Sequence, residues 1–120
     1  MDQTSHHGVN GDEVLHVAAT LPGTEQRPFG TSFGLRVAGK GFAYLSEETG
    51  TILLKATRQE QAALVASDPE TFRPSHSSGQ YGWVEVILSR VDPDEFRELL
   101  TEAWRLTAPR RLAAQHMITP

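Results

Sequence analysis

The spacing of apolar residues changes at Pro22-Gly23, and that change restricts the chain to folds that mix helices with antiparallel strands. Before it, Val14, Leu15, Ala18 and Leu21 recur at helical intervals behind Asn10 and Glu13, the two halves of a capping box. After it, from Thr24 to Ala56, the period is two. Phe33, Leu35 and Val37 alternate with Gly34 and Arg36, then come "FAYLS" and "TILLKA", punctuated by Gly39, Gly41 and Gly50. Strands joined by such short links pair with their neighbours antiparallel. The segment "SEETGT" reads as a hairpin loop with Gly50 at positive φ.

A second helix starts at Thr57, with Glu60 three residues later to complete a capping box, and stops at Asp68-Pro69. The polar connection "TFRPSHSSGQ" leads into "YGWVEVILS", a strand with Val84, Val86 and Leu88 on one face and Trp83, Glu85 and Ile87 on the other. The third helix has the clearest start: Val91 precedes the cap Asp92, Pro93 takes the first helical position, Glu95 closes the box and Phe96 can staple back onto Val91. Its inward stripe reads Phe96, Leu99, Leu100, Ala103 and Leu106. Pro109 breaks it, and "RRLAAQHM" adds a last helical turn or two.

The order is helix, three or four strands, helix, strand, helix. The fold class is therefore α+β: an antiparallel β-sheet with helices packed on one face, α-β-β-β-α-β-α in outline. Residues 1–10, polar and glycine-containing, are expected to be a disordered tail, and residues 11–120 a single domain. A chain of 120 residues buries about two thirds of its unfolded surface and needs no metal or disulfide to fold.

Composition removes several function classes. With no cysteine, a disulfide framework, a thiolate nucleophile and cysteine-based metal sites are excluded. No apolar run approaches the roughly 20 residues of a membrane span, and the N-terminus lacks the pattern of a signal peptide. A soluble, cytoplasmic monomer with no membrane partner is expected. The net charge of -4 disfavours general charge-driven binding to nucleic acid. Yet from Gln26 to Ser46 the charged residues are Arg27, Arg36 and Lys40, with no acid among them.

Four motifs invite chemistry, and each has a simpler reading. "GLRVAGKG" at 34–41 satisfies all but the last position of the phosphate-loop pattern, but Gly41 stands where a hydroxyl should bind metal. Strand-like residues flank it on both sides, so a tight Gly39-Lys40-Gly41 turn is expected. The five histidines, at 6, 7, 16, 76 and 116, form no ligand spacing. Ser75, Ser77 and Ser78 have only His76 as a local base and no nucleophile elbow. The acids Asp92, Asp94, Glu95, Glu98 and Glu102 read as a capped, solvated helix. No metal, cofactor or catalytic constellation is expected, and the chain is not read as an enzyme.

One surface remains. With helices on one side only, strand alternation directs Arg36, Lys55 and Trp83 to the uncovered face of the sheet. Trp and Arg there could stack a base and neutralise phosphate or anchor a protein contact. Glu85, two residues from Trp83, opposes phosphate.

Several segments in order carry a resemblance: "LPG" at 21–23, "VAGKGFAYL" at 37–45, "LLKA" at 53–56, "FRPS" and "GWVEVIL" within 72–88, and "LLTEAWRLTAPRRL" at 99–112. With them the chain resembles the MmcQ/YjbR family of small bacterial proteins, whose fold is similar to that of CyaY and frataxin. The resemblance implies an antiparallel sheet covered on one side, no established catalytic residues, and a DNA-binding role in which paired hairpins grip a duplex. The matching positions are Lys40, Lys55, Arg73 and Trp83. Some relatives carry an Asn-Lys pair and a His before the Trp, where this chain has "GQYGW".

Two readings of function follow. In the first, Arg36, Lys40, Lys55, Arg58 and Arg73 contact the phosphates of double-stranded DNA while Tyr81 or Trp83 makes an apolar or stacking contact. In the second, the exposed sheet face binds another protein or a small ligand, without nucleic acid.

Overall fold

The structure, a computed structural model, describes residues 8–30 and 32–118. Among the described residues are four helices: Gly11–Ala19 (α1), Arg58–Ser67 (α2), Pro93–Thr107 (α3) and Arg110–Ile118 (α4). Six strands accompany them: Thr24–Phe29 (β1), Ser32–Val37 (β2), Lys40–Ser46 (β3), Thr51–Leu54 (β4), Phe72–Pro74 (β5) and Val84–Ile87 (β6). They form one sheet in the order β1-β2-β3-β4-β6-β5, every neighbouring pair antiparallel. The α+β class holds, with two edge strands beyond the expected outline. The first edge, β1, is "TEQRPF", exposed along most of its length, and its proline suits an edge. The second, β5, lies inside the segment read as a polar connection. It is three residues long, and its Phe72 is fully buried.

Local chemistry sets the helix starts. Asn10 Oδ1 accepts from the Glu13 amide at 2.8 Å while Glu13 Oε1 accepts from the Asn10 amide at 2.9 Å, so two otherwise orphaned donors are satisfied. At α2 only the Thr57 half forms, its hydroxyl accepting from the Glu60 amide. At α3 one Asp92 oxygen accepts from both the Asp94 and Glu95 amides.

The core lies on one face of the sheet. Leu35, Val37, Leu45, Ile52, Leu54, Val84 and Val86 point into it, and α3 packs across β3 and β4 with α1 beside it. The buried stripe of α3 is Phe96, Leu100, Ala103, Trp104 and Thr107. Leu106 is partly exposed, which corrects the expected stripe. The reason is Trp104: it is fully buried, and its indole donates to Pro22 O at 2.9 Å, so α3 is rotated to seat the larger ring.

Order also begins earlier than the expected tail allows. Val9 belongs to the core, and its amide donates to Leu88 O at 2.8 Å. Residues 1–7 of that tail lie outside the described residues. The β2–β3 corner is likewise shifted by one residue. Val37 pairs with Lys40, leaving Ala38 and Gly39 as a two-residue turn with φ of 52° and 79°, the positive pair that suits a right-twisted hairpin. Lys40 thus opens β3 and does not sit inside the turn.

Candidate ligand-binding face

Directly opposed residues of an antiparallel pair share a face, so the register fixes what the uncovered side presents. One row crosses all six strands: Arg27, Gly34, Tyr44, Leu53, Glu85 and Arg73. A second runs beside it, Phe29, Ser32, Ser46, Thr51 and Ile87. Both lie opposite the core.

Three rings form a continuous strip on this face. Phe29 and Tyr44 have centroids 5.9 Å apart, Tyr44 and Trp83 5.8 Å apart, tilted by 50° and 34°. Such spacings and tilts are those of favourable aromatic pairs. Gly34 and Gly41 make room for the central ring. A Cβ on Gly34 would lie 3.2 Å from Tyr44 Cε1, and one on Gly41 would overlap the Tyr44 hydroxyl. Two of the three glycines of "GLRVAGKG" thus serve an aromatic side chain lying across two strands, a known use of sheet glycine.

Trp83 is positioned from the other side. Gly82 has φ of 102°, and a Cβ there would collide with Ala56 O, so only glycine lets the chain pass so close to the start of α2. Gln61 of α2 then donates from one nitrogen to Gly79 O at 2.9 Å and Trp83 O at 2.7 Å, tying down the loop before the tryptophan. Ser75, nearly buried, closes the loop internally: its hydroxyl meets Ser78 Oγ at 2.8 Å, and its amide donates to Trp83 O at 3.0 Å.

Between this loop and the sheet is an open groove of about 660 Å³, within the roughly 300–1,000 Å³ of small-molecule sites. Phe29, Tyr44, Leu53 and Trp83 make its apolar floor. Hydroxyls of Ser32, Ser46, Thr49 and Thr51 edge one side, and His76, Ser77 and Glu85 edge the other. A smaller depression of about 200 Å³ shares Phe29 and Tyr44 with the groove and adds Arg27 and Arg36. Arg36 stands opposite Glu25 in the register, but among the described residues neither arginine closes an ion pair.

The anticipated site residues are only partly brought together. Trp83 and Arg36 lie on the open face as expected. Arg73 is there too, but it bonds Glu85 at 2.9 Å, so much of its charge is answered within the protein. Lys55 follows β4 directly and is half-buried; Lys40 and Arg58 are exposed at the β2–β3 corner and the first turn of α2. Tyr81, 69% exposed, sits in a single 3-10 turn, Gly79–Tyr81, and not in the aromatic strip. Tyr44, Phe29 and Arg27 are the residues that sequence reasoning missed. Strand alternation in "FAYLS" does put Tyr44 opposite Ala43 and Leu45, and that signal could have found it.

No group of three or more His, Cys, Asp or Glu side chains able to hold a metal ion occurs among the described residues, and no helix there is long and apolar enough to cross a membrane. Among the described residues, the hydroxyls of the groove bond one another or backbone amides and none bonds a histidine or carboxylate base. What the arrangement offers is stacking, hydroxyl hydrogen bonding and two unpaired guanidiniums.

No curated protein matches the chain. The fold is similar to the crystal structure of Deinococcus radiodurans protein DR2400, described with a DUF419 domain, at a TM-score of 0.73 and 22% identity over 88% of this chain and 81% of that one. At that identity the likeness is one of fold. A family model, YjbR, matches residues 19–106, a span that takes in all six strands and most of α3, and the chain belongs to the YjbR family.

Proposed function

We propose that the chain is a binding module that works through the open face of its sheet, taking a ligand with a planar ring over the strip of Phe29, Tyr44 and Trp83. The observation that carries this reading is the strip itself. Three rings in contact on the solvent side of a sheet have no packing role in the core, and two glycines and a tied-down loop hold them in place. Apolar floor and convergent hydroxyls are the usual makings of a small-ligand site. The test is a titration of the protein with a panel of planar aromatic fragments, followed through its two indole N–H signals by NMR. Binding shifts the Trp83 signal and leaves that of buried Trp104; a panel that moves neither contradicts the reading.

A second reading, duplex DNA, is favoured by the acid-free run of Arg27, Arg36 and Lys40 along the first two hairpins, which could approach a duplex as wings. It goes with a CyaY-like kinship, for which an open antiparallel sheet with helices on one side is support. Here Lys40, Lys55 and Arg58 contact phosphates. Each contact neutralised contributes about 0.9 to the slope of log K against log salt, so Lys40→Ala should flatten that slope by about one. Absence of duplex binding at low salt removes this reading and leaves the first standing.

A further inference from the structure

Resting on the groove reading, we infer that the ligand is a free nucleoside monophosphate whose base carries an amino group. Phe29 and Tyr44 belong both to the large groove and to the depression that holds Arg27 and Arg36. A ring stacked on the strip therefore has two guanidiniums beyond one end and Glu85 at the other. Guanidinium pairs with phosphate in a planar, forked geometry. A carboxylate only accepts hydrogen bonds, so Glu85 selects a ring bearing N–H donors. Its Oε1 already holds Arg73 at 2.9 Å, and a carboxylate has capacity for further donors. Ser46 and Thr51, half-buried and buried, line the hydroxyl side beside the positions a sugar would take. Thr51 Oγ1 shares one bond with Thr49 Oγ1 at 2.8 Å and Ser46 Oγ accepts from the Thr49 amide, and a hydroxyl has capacity beyond one bond. A simple aromatic acid would leave that side to water.

The charges also decide between a free nucleotide and a single strand. A strand-binding groove distributes cations along the backbone path. Here the two unpaired guanidiniums are confined to one end, the loop from Ser75 to Ser78 walls the other, Glu85 stands beside that wall, and the chain carries a net charge of -4.

The experiment is calorimetry at low salt with AMP, adenosine, ribose 5-phosphate and single-stranded dA6 as probes. AMP should bind at least tenfold more tightly than adenosine, and ribose 5-phosphate should not bind measurably. Arg27→Gln with Arg36→Gln should erase the AMP advantage while adenosine binding is unchanged, and Trp83→Leu should weaken both. Circular dichroism melting of each variant separates a lost site from a lost fold. Equal affinity for AMP and adenosine, insensitive to the arginines, overturns the phosphate assignment while leaving the groove reading intact. Binding of neither overturns the nucleotide class, and the fragment titration then judges the groove by itself. A gain above tenfold from AMP to dA6 overturns the free-nucleotide assignment in favour of a single strand.

Discussion

The ring of Tyr44 lies so closely across Gly41 that a methyl group on the glycine would overlap the phenol oxygen. Gly41 has no positive φ to explain it; space for the ring does. Gly41→Ala should therefore displace Tyr44 and cost about 1–3 kcal/mol, the range for overpacking, as measured by urea unfolding. The same substitution in a Tyr44→Ala background should cost less, because the collision is gone. Equal costs in both backgrounds would mean that the glycine serves the backbone and not the ring.

Gln61 joins α2 to the loop that carries Trp83, through two bonds from one nitrogen. Gln61→Leu removes one donor from each of two carbonyls, which keep the Gly82 and Ser75 amides, at a cost of about 0.5–1.5 kcal/mol. Hydrogen exchange should accelerate between Ser75 and Trp83, and ligand affinity should fall with it. Unchanged exchange in that loop would show that Ser75 suffices to hold it.

The indole of Trp104 reaches Pro22 O, tying α3 to the turn that ends α1. Trp104→Phe removes the donor and part of the ring, so a loss of about 2–4 kcal/mol is expected, the unpaired carbonyl adding to the small cavity and the total staying below that of a truncation to alanine. Thermal unfolding checks it. A loss below about 1 kcal/mol would assign the residue a surface-like role that its burial does not support.

Glu95 is held above the ordinary carboxylate value of 4.5 by desolvation first, then by the charges of Asp92, Asp68 and Glu98. A raised folded-state value means that the native protein binds the proton more readily, so stability falls as pH rises from the unfolded value through the folded one. Glu95→Gln should thus be the more stable protein at neutral pH, the advantage fading below the carboxylate range and shrinking in high salt. Unfolding curves across that range decide it; an advantage independent of pH would point to helix propensity alone.

Much of the fold was legible in local signals. Asn10, Thr57 and Asp92 act within a few residues of themselves, so sequence order alone displays their caps. Alternation from Phe33 to Val37, from Ala43 to Leu45 and from Val84 to Leu88 likewise assigns faces directly, but the bulge opposite Leu35 and Arg36, which buries Phe42 and Ala43 together, breaks it between them. What escaped depends on distant partners. Arg73 meets Glu85 only because β5 pairs with β6, and Trp104 outranks Leu106 only once Pro22 is beside it. The aromatic strip joins β1, β3 and the residue before β6, and no short window contains two of its rings.

Trp83 offers the most direct test of the open face as the binding surface. In an NMR titration with adenosine, its indole signal should shift in a saturable manner while that of Trp104 stays fixed. A Trp83 signal that does not move, with shifts confined to the helical side, would contradict the account.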